Sequence, residues 1–238
     1  MTTQGTAMRL GGGEMFDRIA ARYDLLNRLL SMGLDLRWRR MLLDALGPLG
    51  DGEFLDVATG TADVALALAR RGDEVRVVGL DPSSGMLGVG RRKVGDAGLA
   101  GRIELVQGDA QAMPFADDRF AGATMAFGIR NVPDRVRGLR EMARVVRPGG
   151  VVAVLELGEP RRGLLAPFAR LHVHHIVPRL GALISGAREY RYLQESIAAF
   201  PAPETFCEKM REAGLVDVDF TPMFPEVAHL YVGRVAGR

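Results

Sequence analysis

The period of apolar and polar positions along this chain changes several times, and each change marks an element. Phe16, Ile19, Tyr23, Leu26 and Leu30 recur three and four residues apart, which is one stripe of a helix. Leu36–Leu46 predicts a second helix, closed by Gly47-Pro48. From there short apolar runs alternate with helical spacing. Phe54–Ala58, Arg76–Leu80, Ile103–Val106, Arg119–Phe127 and Val151–Leu157 read as strands, and Ala62–Arg71, Ser83–Val94 and Asp134–Val146 read as helices between them. Pro148-Gly149-Gly150 reads as a turn ahead of the Val151 strand. Near-continuous apolar strands joined by helices imply a parallel sheet covered on both faces. Leu164–Ser185 is apolar but broken by Pro167 and Pro178, and predicts a helical cap over about residues 161–200. Glu204–Ala213 is a last helix, followed by a closing pair of strands at Val216–Thr221 and Val227–Val232. The expected fold is therefore α/β: a doubly wound, seven-stranded, mostly parallel sheet with N-terminal helices and a helical cap insertion. A glycine-rich flexible tail, residues 1–13, precedes a single domain spanning residues 14–238.

Composition narrows the class without naming a function. A chain of 238 residues buries about 70% of its unfolded surface and folds without disulfides or structural metal. Cys207 is the only cysteine, which excludes a disulfide framework and a thiolate zinc site. The formal net charge of +2 is too small to drive nucleic-acid binding by counterion release. No apolar stretch approaches the roughly 20 residues of a membrane span, and Met1–Glu14 has no apolar core for a secretory signal, so the expected location is the cytoplasm. The 30 glycines are nearly twice the average usage of about 7%. They suggest many tight turns, or a backbone that lies close to a ligand.

Doubly wound sheets bind ligands past the carboxyl ends of their strands. The first strand runs into Leu55-Asp56-Val57-Ala58-Thr59-Gly60-Thr61-Ala62-Asp63, whose small residues permit a sharp turn against a ligand. Asp81 ends the next strand, where a carboxylate can accept bonds from both ribose hydroxyls. A plain tight turn with a helix-capping Asp before Pro82 is the alternative. A dinucleotide needs more glycines than Gly60 supplies, and Asp63 would repel a pyrophosphate. A nucleoside with a cationic, phosphate-free amino-acid tail would instead be favoured by Asp56 and Asp63. Asp109, within Gly108-Asp109-Ala110, would suit an adenine amino group. S-adenosyl-L-methionine is thus expected in preference to NAD.

Leu55–Asp63, Gly79–Asp81, Gly108–Ala110 and Arg147-Pro148-Gly149-Gly150 resemble the successive motifs of class I methyltransferases dependent on S-adenosyl-L-methionine. Narrower segments resemble the C-methyltransferases of menaquinone and ubiquinone biosynthesis. These are Met15–Ala20 with Tyr23-Asp24-Leu25-Leu26-Asn27, then Phe127-Gly128-Ile129-Arg130-Asn131-Val132, and His175–Ser196 with Tyr190-Arg191-Tyr192-Leu193. The resemblance runs from about Met15 to about Gly233. It implies cofactor contacts from Thr61, Asp81, Asp109 and Ala110, with Tyr23 over the pocket; Asp56, Ala58, Gly60, Pro82, Met86 and Phe127 complete the expected cofactor residues. It also implies that Arg130 and Asn131 stand at the substrate side; with His175 as the alternative base these are the expected catalytic residues, and no metal is expected.

The implied reaction is C-methylation of a demethylated polyprenyl hydroquinone, demethylmenaquinol before a ubiquinone-type benzoquinol or another small molecule. A homodimer and peripheral contact with the inner face of the membrane are expected with that reading. Ala62 stands where the family usually has a second glycine, a change that fits if the residue is already helical. Ala126 replaces a usual serine, and Asp35 stands near the place of an early histidine before Trp38. Arg130 is expected to stabilise a substrate phenolate and, with Asn131, to hold the substrate oxygen or a water that carries the proton away, since guanidinium stays protonated and is a poor base. His172, His174 and His175 are read as structural or substrate-pocket residues rather than metal ligands, with His175 the alternative base. The cap is read equally as core or as the wall of a groove for an isoprenoid tail. Arg161, Arg162 and Arg170 are read as a solvated basic face, with anionic headgroups as the alternative partner.

Overall fold

The computed structural model describes residues 20, 23–50, 52–159 and 187–237. Helices α1 (Tyr23–Leu30) and α2 (Leu34–Asp44) lead into β1 (Glu53–Val57). The alternation continues with α3 (Asp63–Ala69), β2 (Arg76–Asp81), α4 (Ser84–Asp96), β3 (Ile103–Gln107), β4 (Phe120–Ala126), α5 (Arg135–Val145) and β5 (Val146–Leu157). After residue 186 come α6 (Ala187–Ala198), α7 (Pro203–Glu212), β6 (Leu215–Met223) and β7 (Ala228–Val235). The expected tail, the Phe16–Ile19 part of the first helix and the greater part of the expected cap, residues 160–186, lie outside the described residues.

The strands form one seven-stranded sheet in the order β3-β2-β1-β4-β5-β7-β6. Its first five strands are parallel, and β7 runs antiparallel to both β5 and β6. The chain builds β1, β2 and β3 outward, then returns to lay β4 on the opposite side of β1. Loops leaving β1 and β4 diverge there, which opens a crevice past their carboxyl ends. Alternate residues of β1 face opposite sides, as the two-residue period of a strand requires. Leu55 and Val57 pack with Leu80, Met125, Leu139 and Met142, whereas Phe54 packs with Leu42, Val64, Leu68 and Val77. Helices thus bury both faces. Side chains start the helices that flank the crevice: Ser83 Oγ accepts the Met86 N–H ahead of α4, and Asp134 accepts the Arg137 N–H ahead of α5.

One boundary differs from expectation. The Pro148-Gly149-Gly150 segment does not separate α5 from β5, because β5 already begins at Val146. Val146 pairs with Phe120 and Val151 pairs with Gly122, so residues 147–150 bulge opposite Ala121. Gly149 takes φ +79° in the bulge, and a Cβ at Gly150 would fall 2.7 Å from the Ala121 carbonyl oxygen. The turn residues were legible, but their absorption into a strand depends on the β4 partner. Among the described residues, no helix is long and apolar enough to cross a membrane.

Candidate functional site

A cavity of about 470 Å³ occupies the crevice. Of the expected cofactor residues, Asp56, Ala58, Gly60, Thr61, Asp81, Pro82, Met86, Asp109, Ala110 and Phe127 all line it, and Asn131 lines it too. The Tyr23 side chain and His172, His174 and His175 lie outside the described residues.

The turn after β1 is built from alternating left-handed residues: Ala58 at φ 53°, Gly60 at φ 55° and Ala62 at φ 66°. The condition under which the Ala62 methyl was expected to fit, an already helical residue, is not met, since Ala62 is the left-handed N-cap of α3. That conformation costs a non-glycine residue about 1–2 kcal/mol. Its methyl is fully buried and packs towards Gly90, which offsets part of the cost. Neighbouring strands hold the turn. Thr59 N–H donates to the Leu80 carbonyl at 3.0 Å, and Gly60 N–H donates to Asp81 Oδ2 at 2.9 Å. Asp81 Oδ1 accepts the Ser83 N–H at 2.9 Å, so this carboxylate ties the turn after β1 to the start of α4.

Asp56 is buried, with its carboxylate accepting from Thr59 Oγ1 at 2.6 Å and from Thr124 Oγ1 at 2.9 Å. Burial outweighs both hydroxyls and pushes its pKa up to about 6. Asp63 does not present the open negative charge expected of it. Its carboxylate accepts from Arg39 Nη1 at 2.6 Å and forms a short contact with Lys93 Nζ. Burial alone would raise the Asp63 carboxyl, but Lys93 and Arg39 together hold it below its ordinary value. Charge repulsion from Asp63 therefore cannot be what excludes a pyrophosphate. Arg39 was missed at the sequence level, because nothing in the run Arg37-Trp38-Arg39-Arg40 singles it out. It lines the cavity, and its Nε is buried with no hydrogen-bond partner among the described residues.

Opposite this turn, Phe127 sits at φ 59° and begins the segment that ends in the 3-10 turn Ile129–Asn131. Gly128 is required there, since a Cβ would meet Ala58 Cβ at 2.5 Å. The expected direct role of Arg130 is not supported by its position: it is absent from the cavity lining and its guanidinium turns inward. Arg130 Nη1 donates to Glu156 Oε1 at 2.6 Å and to the Phe127 carbonyl at 2.7 Å. Asn131 remains at the cavity wall, where its Oδ1 accepts from the Tyr192 hydroxyl at 3.0 Å. Glu156 was also missed, although a carboxylate inside the apolar run Val151–Leu157 is a legible sign of a buried partner.

Residues 6–234 match the model of the ubiE/COQ5 methyltransferase family. The chain belongs to the ubiE/COQ5 methyltransferase family. It is 42% identical over 235 residues to the "Ubiquinone/menaquinone biosynthesis C-methyltransferase UbiE" of Geobacter sulfurreducens, covering 98% of this chain and 90% of that one. It is 46% identical over 202 residues to a "Demethylmenaquinone methyltransferase" of Deinococcus radiodurans, covering 84% and 83%. Among solved structures, the cyclase SpnF superposes with a TM-score of 0.71 at 16% identity, covering 95% of this chain and 96% of that one. Haemonchus contortus phosphoethanolamine N-methyltransferase 2, solved with S-adenosyl-L-methionine, gives 0.65 at 16% identity over 85% of this chain and 53% of that one. These structures share the Rossmann-like doubly wound fold. A cyclase on the same scaffold as methyltransferases shows why the reaction has to be argued from the site.

Proposed function

We propose that this ubiE/COQ5 family member methylates a ring carbon of a demethylated polyprenyl hydroquinone, demethylmenaquinol above all, with S-adenosyl-L-methionine as donor. The reading is carried by one cavity that joins a turn and carboxylate suited to a nucleoside with an amide suited to a substrate oxygen. Asp81 would take the ribose hydroxyls, and Asp109 and Ala110 the adenine, with Pro82, Met86 and Phe127 as apolar walls. Arg39 lines the remaining end, where its guanidinium, paired to Asp63, would meet the carboxylate of an amino-acid tail. When bound, the cofactor supplies a methyl group on a sulfonium sulfur, which is already electrophilic.

The chain then has to align the substrate and help its hydroxyl ionise. Alignment alone lowers such barriers by about 7–11 kcal/mol. A phenol has a pKa of about 10 and needs support at neutral pH. Asn131 supplies that support at the cavity wall. Arg130 acts from behind, holding the Phe127 carbonyl and the Asn131 turn, with its charge paired to Glu156. His175 is retained as the alternative base and Tyr23 as a cover of the cofactor. A polyprenyl substrate resides in the bilayer, so the reading includes peripheral contact with the inner face of the membrane, and a homodimer is retained with it.

Mass spectrometry of quinones from cells lacking this chain tests the proposal. A species lighter by one methyl is expected to accumulate, and its ring identifies a naphthoquinol or a benzoquinol substrate. Unchanged quinones would overturn it.

A further inference from the structure

We propose that Tyr192 is a positioning residue, which holds the Asn131 carbonyl so that the amide N–H2 edge faces the substrate oxygen. The inference rests on the quinol-methylation reading and assigns a specific part of that site. The Asn131 turn is pinned on several sides. Glu156, fully buried near the end of β5, accepts from the Arg130 backbone N–H at 3.1 Å and from Arg130 Nη1 at 2.6 Å. It also accepts from the Leu157 N–H at 2.8 Å, so both carboxylate oxygens are engaged by donors of this chain. The Arg130 guanidinium in turn holds the carbonyl of Phe127 at 2.7 Å. Both ends of the Phe127–Asn131 segment are thereby fixed, and little freedom remains except rotation of the Asn131 amide.

That rotation matters chemically. An asparagine presents either a carbonyl acceptor or a two-hydrogen donor, and the two choices have opposite effects on a developing phenolate. A donor aimed at the oxygen stabilises the charge that appears there, and a carbonyl repels it. Tyr192, brought in on α6, decides the matter because its hydroxyl donates to Asn131 Oδ1 at 3.0 Å. With the carbonyl engaged, the Nδ2 hydrogens are the groups left for the cavity that Asn131 lines. The two hydrogen bonds also polarise each other: negative charge beyond Nδ2 strengthens the Tyr192 bond to Oδ1. Tyr192 stays a donor at neutral pH, since burial raises its pKa above the ordinary 10 despite the nearby Arg130 and Arg135.

The test uses the full chain, wild type and Tyr192→Phe, with demethylmenaquinol in detergent and S-adenosyl-L-methionine. The variant should fold with an unchanged melting temperature and bind S-adenosyl-L-methionine equally well. Its kcat should fall roughly 10-fold, with KM for the quinol changed far less, a smaller loss than removal of a direct oxyanion donor. The deficit should shrink as pH approaches the phenol's own pKa of about 10, where the substrate ionises unaided. A kcat equal to wild type, or a deficit constant with pH, would overturn the inference. A second readout needs no turnover. The ultraviolet titration of 1-naphthol bound with S-adenosylhomocysteine should show a lower pKa on wild type than on Tyr192→Phe, and equal values would overturn the inference. If wild type fails to methylate demethylmenaquinol while that difference persists, the substrate reading fails and the positioning role stands.

Discussion

Arg130 and Glu156 meet at 2.6 Å where their side chains are 6% and 0% exposed. Burying such a pair gains little over apolar residues of the same size, but removing one partner strands the other charge at a cost of about 3–5 kcal/mol. Glu156→Gln should therefore lower stability to denaturant by about 3 kcal/mol. The paired change Arg130→Met with Glu156→Leu should regain most of that stability while losing turnover, because the Asn131 turn loses its anchor. A single variant as stable as the parent would show that the pair does not hold the turn.

Arg130→Ala is expected to abolish methyl transfer while calorimetry still detects cofactor binding, because Arg130 anchors Asn131 and does not itself line the cavity. Near-normal turnover would remove Arg130 from the mechanism.

Gly128 and Ala58 face each other so closely that a Cβ at 128 would lie 2.5 Å from Ala58 Cβ. Gly128→Ala must push the Phe127 segment away from the cofactor turn. Overpacking of this kind costs about 1–3 kcal/mol. The loss should appear mainly as weaker cofactor binding in calorimetry, with the sheet intact by circular dichroism. Unchanged affinity would mean that the two loops are not rigidly coupled.

Asp56 gives the protein a pH signature. Its folded pKa of about 6 lies above the ordinary 3.8, so between those values the native state binds more protons than the unfolded chain. Stability contributed by this group therefore falls as pH rises from about 4 to 6, and the rise in pKa corresponds to about 3 kcal/mol. Denaturation of Asp56→Asn across this range should lack that slope. A cationic cofactor near Asp56 should also release a proton on binding near pH 6, which calorimetry in buffers of different ionisation enthalpy measures directly.

Lys93 links α1 to the cofactor turn. Its Nζ donates to Asp24 Oδ2 at 2.8 Å and to Thr61 Oγ1 at 3.3 Å, and contacts Asp63. These side chains are a quarter to a third exposed, so screening limits the linkage to about 1 kcal/mol. Lys93→Met should speed hydrogen exchange in Tyr23–Leu30 about five-fold, in line with that energy. Exchange at the parental rate would show that packing alone holds α1.

What the sequence determined by itself was the local part of this protein. The parallel strands were legible because each is a largely apolar run bounded by glycine, proline or a helix start. That the turn after β1, Asp81 and Asp109 would line one crevice was legible because they sit at the carboxyl ends of successive strands. Tertiary structure decided which side chains are already engaged. Asp63 is neutralised by Arg39 and Lys93, residues 24 and 30 positions away, and Arg130 turns towards Glu156, 26 positions on. Ala62 is left-handed because the turn must meet Leu80 and Asp81 of the neighbouring strand. Each of these depends on which distant strands and helices the sheet brings together, and neither periodicity nor motif spacing carries that information.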